Sequence, residues 1–165
     1  MFNQIKTLES SKEFKDFKTK NKEAFLTHVF YMLDEANKNC VQIGYYNPKK
    51  DKITTFIIEG GCITKTLEAE VFKDEKTVMK ALDLPKVKLE VDTAVKTAEK
   101  LQKDKYPSDS PIKKIAILQH LPIGQVWNIT FVTATFKTLN IKVDSQFGKV
   151  VSDKLISIAE FGKPA

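Results

Sequence analysis

Regular alternation of apolar and polar residues is the feature that most constrains the fold of this chain. Two segments of the C-terminal half have an apolar residue at every second position: Trp127, Ile129 and Phe131, and then Leu139, Ile141 and Val143. Because successive side chains of a strand point to opposite faces, each segment predicts a strand with one buried face. A sheet with one apolar face must cover that face, and helices packed on it are the simplest cover.

The predicted elements follow a similar order in the two halves of the chain. The first half is predicted to contain a helix over 10–23, strands over 24–34, 40–47, 52–61 and 63–72, and a short helix over 75–82. The second half is predicted to contain a helix over 93–105, strands over 112–120, 125–133 and 136–144, and two closing apolar runs at 150–151 and 155–158. Ser10 with Glu13 is the predicted cap of the first helix, and Asp92 that of the third.

These elements predict an α+β protein of two similar halves, each a helix packed on an antiparallel sheet. Residues 1–85 form the N-terminal half and residues 86–165 the C-terminal half of one compact unit. The 165 residues include 42% hydrophobic side chains, 11 Phe and 4 Tyr, enough apolar surface for a core and too much for a disordered chain. No apolar stretch has the length of a membrane-spanning helix, and no membrane partner is expected.

Residues 91–152 contain a set of positions that together form a pattern: Ala94 and Ala98 on a predicted helix, a central Trp127 on a strand, and a closing Asp-x-x-x-Gly-x-Val sequence at Asp144, Gly148 and Val150. This pattern resembles the PepSY domain, a cystatin-like module. In that ending, the aspartate can accept N–H groups of a turn and the glycine permits a left-handed residue. Phe147 departs from the family, in which Thr is common before the glycine. Residues 10–72 would be a diverged second copy.

The resemblance implies a small non-enzymatic domain, since PepSY and related cystatin-like modules are usually associated with peptidase pro-regions and with inhibition or regulation. Most known examples are extracytoplasmic. The sequence begins without an apolar signal segment, which favours a cytoplasmic location and leaves an extracytoplasmic one open after signal removal.

Lysine accounts for all 27 basic residues and for the net charge of +6, because the chain contains no arginine. Lysine lacks the planar fork with which arginine recognises phosphate and guanine. The lysines of the first predicted helix alternate with Glu13 and Asp16, which is typical of a solvated face. We therefore do not expect specific nucleic-acid binding, although weak, salt-sensitive association with polyanions is an alternative.

Cysteine and histidine are too few and too scattered to predict a catalytic or metal site. Cys40, Cys62, His28 and His120 form no ligand motif, and nothing near the cysteines would lower a thiol pKa. A hairpin turn after Asn47 would place Cys40 opposite Glu59, three residues from Cys62, which favours two ordinary buried thiols over a disulfide. No catalytic residue, metal or cofactor is expected.

Four residues are candidates for contact with a partner: Tyr45, Tyr46, Trp127 and His120. Neighbouring strand residues face opposite sides, so one of the two tyrosines should be buried and the other displayed at the hairpin end. The resemblance in 91–152, together with the absence of a catalytic constellation, predicts a small binding or regulatory module for a protein or peptide partner. The alternatives are a weakly nucleic-acid-associated basic protein and a small-ligand binder that uses the concave sheet face.

Overall fold

An antiparallel sheet is the framework of the protein in the computed structural model, which describes residues 1–70 and 78–157. Within those ranges the sheet has nine strands: β1 (Phe25–Met32), β2 (Cys40–Asn47), β3 (Lys52–Glu59), β4 (Cys62–Lys65), β5 (Ala69–Glu70), β6 (Pro111–Leu121), β7 (Gly124–Thr133), β8 (Lys137–Asp144) and β9 (Val150–Ser157).

The strands are arranged outward from β1 and β6, which are neighbours at the centre. The order is β4-β3-β2-β1-β6-β7-β8-β9, and β5 pairs with the beginning of β3. All pairings are antiparallel. Strands β1 to β4 therefore form a meander on one side of the centre, and strands β6 to β9 form another on the other side.

Helices cover one face of this sheet. The described residues include three α-helices, α1 (Phe2–Ser10), α2 (Lys12–Lys20) and α3 (Val91–Lys105), and two short 3-10 helices, Glu35–Asn37 and Leu84–Lys86. The first two α-helices bury Ile5, Leu8, Phe14 and Phe17, and α3 buries Ala94 and Ala98. This is a mixed α+β architecture, as the sequence predicts.

A single row of side chains across six strands shows how the core is built. Strand register aligns Phe56, Ile43, Val29, Leu118, Trp127 and Val143, and every one of them is fully buried. The indole Nε1 of Trp127 donates a hydrogen bond to the carbonyl of Leu89 at 3.0 Å, so the one polar atom of this side chain is satisfied. The alternation in the sequence therefore identifies the buried face correctly.

Several predicted boundaries are wrong for local reasons. Instead of one helix over 10–23 there are two helices that meet at Ser11, which has an extended backbone and caps α2 by accepting a hydrogen bond from the Phe14 amide. The third α-helix begins after Glu90, so Asp92 lies in its first turn and is not its cap.

The segment after β3 also differs from the prediction. The strand predicted over 63–72 is divided into β4 and β5, because pairing with β3 is interrupted between them. Residues 71–77 lie outside the described residues, and they include the beginning of the helix predicted over 75–82. The described part of that segment, 78–82, is not helical.

Candidate functional site

The side of the sheet opposite the helices is a candidate interaction surface. We call it the uncovered face, because none of the described helices packs on it. Its central residues are Phe30 and Met32 on β1, Gln42 on β2, Ile57 on β3, Ile115 and Ile117 on β6, Asn128 and Thr130 on β7, Asn140 and Lys142 on β8, and Lys154 on β9. Lys154 is exposed, and the others are half-buried.

Apolar side chains gather at the middle of this face. Phe30 pairs with Ile117, Met32 pairs with Ile115, and Ile57 lies one strand further out beside Gln42. None of the five apolar residues belongs to the core cluster on the helical side. We call these five residues (Phe30, Met32, Ile57, Ile115 and Ile117) the apolar centre. An apolar patch framed by polar residues is characteristic of interaction surfaces.

A row of amide, hydroxyl and ammonium groups lies beside the apolar centre. Lys142 Nζ donates to Asn140 Oδ1 at 2.9 Å, and Asn140 Nδ2 donates to Asn128 Oδ1 at 2.6 Å and to Thr130 Oγ1 at 2.9 Å. We call these four residues the polar strip. They run across β7 and β8 because Asn128 is opposite Lys142 and Thr130 is opposite Asn140.

A cavity of about 310 Å³ extends from the polar strip toward the β9 edge of the sheet. Its lining consists of Thr130, Thr138, Asn140, Lys142, Lys154 and Ile156, without a carboxylate. Lys154 is opposite Asn140 and Ile156 is opposite Thr138, so β9 forms the far wall. The lining offers many hydrogen-bond donors and two positive charges to a ligand.

His28 occupies the uncovered face near the β1–β2 pairing. Its ring lies directly over Gly44, where an added Cβ would be 2.0 Å from the ring atom Cε1. Nδ1 is 3.0 Å from the Thr27 hydroxyl, and burial lowers the pKa of the imidazole below its ordinary value of 6.5. The ring is therefore held neutral against the backbone of β2, which requires glycine at position 44.

The structure places both tyrosines of the sequence-based candidate set in buried positions, which corrects the expectation that one would be displayed. Tyr45 is 3% exposed, packs among the core aromatics and donates to Glu9. Tyr46 is 7% exposed on the opposite side of β2, where its ring meets Phe25 edge-on and its hydroxyl donates to Asp51. Burial raises the pKa of Tyr45, and nearby Glu9 adds to the effect.

The other two candidates, Trp127 and His120, differ in their exposure and in their contacts. Trp127 is completely buried beneath Leu89 and offers no exposed surface. His120 is half-buried, with Nδ1 3.1 Å from the carbonyl of Ala81, and it lines a small polar cavity of about 160 Å³ with Gln125 and Asp144. The four candidates are not brought together at one site, and a partner-contacting role for them stays a prediction.

The cysteines have the strand pairing that the sequence predicts, but the expected burial of both is wrong, since Cys40 is half-buried and Cys62 is exposed. Cys40 pairs with Glu59, Cys62 pairs with the same glutamate from β4, and both thiols are free. Burial and the adjacent Glu59 raise the pKa of Cys40, which keeps this thiol in its protonated, weakly nucleophilic form.

The described residues contain no group of three or more His, Cys, Asp or Glu side chains arranged to hold a metal ion. In residues 1–70 and 78–157, no helix is both long and apolar enough to cross a membrane.

Comparison with known proteins yields one structural match. The chain matches no family of known proteins and no curated protein. Among solved structures it is similar to a putative lipoprotein from Clostridium difficile 630, with a TM-score of 0.56 and 16% sequence identity, over 87% of this chain and 90% of that chain. At this identity the similarity concerns the α+β fold. It lends no support to the cytoplasmic location expected from the sequence.

The polar strip is not among the residues that sequence reasoning selects. Its members are the polar positions that alternate with the buried stripes of β7 and β8. The sequence does show that two asparagines, a threonine and a lysine occupy these polar positions. Only the strand register shows that the four side chains are neighbours.

Proposed function

We propose that the protein is a non-enzymatic binding module that holds a protein or peptide partner on the uncovered face. The observation that carries this proposal is the placement of the apolar centre on the side of the sheet opposite the helices, outside the core cluster. These five large apolar side chains are half-buried, and a partner packed on them would remove their remaining surface from water.

The composition of the face supports a polypeptide partner. Apolar side chains at the middle and amide, hydroxyl and ammonium groups at the side reproduce the apolar core and polar rim of protein interfaces. The face is broad, because a single row across it extends from Ile57 on β3 to Ser152 on β9. A surface of this width suits a polypeptide better than a small molecule, which usually requires a deep cleft.

We further propose that the chain is a PepSY-like tandem of two similar halves. In support, α1 and α2 precede the β1–β4 meander, α3 precedes the β6–β9 meander, and the meanders lie on either side of the β1–β6 pairing. The turn before β9 also has the features expected from the resemblance: Asp144 Oδ1 accepts the amides of Gln146 and Phe147, and Gly148 has a φ of 72°.

Site-specific photocrosslinking tests the binding function. A photoreactive residue at Ile117 on the uncovered face is expected to give a discrete adduct in the source cell, with a polypeptide identified by mass spectrometry. The same residue at exposed Lys96 on α3 should give no such adduct, since this position lies on the helical side.

Competition makes the experiment decisive. Added wild-type protein should suppress the Ile117 adduct, whereas the variant Ile57→Lys, which introduces a charge into the apolar centre, should not. Equal adducts from the two positions, or equal suppression by both competitors, would contradict a partner-binding role for the uncovered face.

We also propose an extracytoplasmic location. The support is the description of the structurally similar protein as a putative lipoprotein, together with the location of most PepSY-like modules. Cell fractionation followed by immunodetection tests this, and recovery of the native protein only in the cytosol would contradict it.

A further inference from the structure

The hydrogen bonds of the polar strip have a fixed direction. An ammonium group can only donate, so the contact with Lys142 Nζ requires that the Asn140 amide turn its oxygen toward the lysine. The amide nitrogen of Asn140 must then donate on the other side, to Asn128 Oδ1 and Thr130 Oγ1. The lysine therefore sets the orientation of the whole strip.

With this direction, each side-chain oxygen of the strip already accepts one hydrogen bond, while several of its N–H and O–H donors stay available. The amide oxygens of Asn128 and Asn140 and the hydroxyl oxygen of Thr130 each accept a hydrogen bond within the strip. Among the described residues, the Asn128 amide N–H groups, the Thr130 O–H and the remaining Lys142 N–H groups have no acceptor. A ligand that supplies acceptors would satisfy these free donors.

The charges around the cavity favour an anionic ligand. Lys142 and Lys154 are in its lining, which contains no carboxylate, and Lys154 forms no ion pair within the described ranges. Asp144, further along β8, accepts the amides of its own turn, and Asp153 on β9 pairs with Lys105 and Tyr106 on the helical side. Both of these acids are thus engaged with other groups.

From these observations we infer that the polar strip is a subsite for a carboxylate, supplied by an aspartate or glutamate side chain of the bound polypeptide. This inference rests on the proposed function and names the partner's chemistry. The cavity of about 310 Å³ has room for an acidic side chain. Ile115 and Ile117 lie directly across from Thr130 and Asn128, so an apolar residue next to the acid would meet the apolar centre.

Binding of short blocked peptides, followed by nuclear magnetic resonance, tests the subsite. The probes are an acetylated and amidated leucine-glutamate-phenylalanine tripeptide and the same peptide with glutamine in place of glutamate. Titration of the isotope-labelled full chain with the glutamate peptide should shift the side-chain amide signals of Asn128 and Asn140. The glutamine peptide should shift these signals much less, because a neutral amide is a weaker acceptor for an ammonium group.

Variants of the two lysines that line the cavity test whether their positive charges bind the carboxylate. Lys154→Met leaves the hydrogen bonds of the strip intact, and it should weaken binding of the glutamate peptide by about tenfold or more. Lys142→Met should have at least as large an effect. The matched control is Lys96→Met on α3, an exposed lysine without an ion pair among the described residues, which should bind the peptide as the wild type does.

The outcomes separate this inference from the proposed function. Equal shifts with both peptides at the apolar centre would overturn the carboxylate subsite and leave the binding face in place. Tighter binding of inorganic phosphate than of the glutamate peptide, at matched ionic strength, would overturn it in favour of a free oxyanion site. Shifts by the glutamate peptide that survive both Lys142→Met and Lys154→Met would place the acid elsewhere and overturn it as well.

Discussion

The two halves of the sheet hold their helices by different kinds of packing. Under α2 the core is aromatic, since Phe14 and Phe17 contact Tyr45 and Phe56 with ring centroids 4.8 to 6.1 Å apart. Under α3 the core is aliphatic on the helix side, because this helix presents alanines to β7 and β8. Ala94 and Ala98 are completely buried there, and the bulk comes from the strands.

This difference predicts different weaknesses in the two halves. Large rings fill the space beneath the short N-terminal helices, so removing a ring leaves a cavity. Alanine has no side chain beyond Cβ, so α3 lies close to the strands and has little room for additional atoms. The N-terminal half should therefore be sensitive to truncation, and the C-terminal half should be sensitive to enlargement.

Phe56→Ala tests the aromatic half and should have the largest effect. Phe56 is fully buried and contacts three other rings, so its truncation should lower the free energy of unfolding by about 3–5 kcal/mol. Urea denaturation measures this as a lower midpoint with an unchanged slope. Phe147→Ala, at a position 71% exposed, is the control and should change stability by less than about 0.5 kcal/mol. Equal midpoints for the two variants would contradict a packed aromatic core.

Ala98→Leu tests the aliphatic half by the opposite change. Leucine is a good helix former, yet the extra atoms should force α3 away from the sheet and lower the free energy of unfolding by about 1–3 kcal/mol. Lys96→Leu, on an exposed position of the same helix, gives the reference for leucine without crowding. If the two leucine variants unfold at the same denaturant concentration, α3 has room beneath it and the comparison fails.

Local sequence signals predict much of the fold. The segment 40–47, predicted as one strand of a hairpin, forms β2 over the same residues in the structure, and the short turn after Asn47 sets the observed pairing of Cys40 with Glu59. The ends of helices are harder to predict from the sequence than strands are, because the cap is a single residue. Ser10 and Ser11 are both suitable caps, and only the backbone conformation at Ser11 shows which of them ends α1 and begins α2.

The candidate site is formed by pairing between strands that are distant in the chain, and this pairing cannot be derived from the sequence alone. Phe30 and Ile117 become neighbours only because β1 pairs with β6, two strands from different halves of the chain. The polar strip likewise requires the exact register of β7 and β8. The aromatic residues that suggest a binding site by their type, Tyr45 and Trp127, are instead used to fill the core.

His28 makes the stability of the N-terminal half dependent on pH. Burial lowers the pKa of its imidazole, so in mildly acidic solution the unfolded chain binds a proton that the folded chain does not. The free energy of unfolding should therefore fall as the pH drops below the ordinary pKa of 6.5, and it should level off below the folded-state pKa. Urea midpoints between about pH 7 and 5 measure this, above the range in which carboxylates titrate.

His28→Gln is the matched variant for that pH profile, since it keeps a polar side chain and removes the titration. Its urea midpoint should change less than that of the wild type between about pH 7 and 5. Parallel profiles for the two proteins would assign the pH dependence to other groups.

The smallest expected effect concerns the helix caps, which also differ between the halves. Ser11 Oγ accepts the Phe14 amide at 3.2 Å, whereas Glu90, the residue before α3, makes no side-chain capping bond. Ser11→Ala should therefore lower the free energy of unfolding by about 1 kcal/mol, and Glu90→Ala by less than about 0.5 kcal/mol. Thermal and urea unfolding of both variants measure the difference. Equal losses would mean that charge near the helix end stabilises α3 as much as the hydroxyl cap stabilises α2, and the two helices would then begin in energetically equivalent ways.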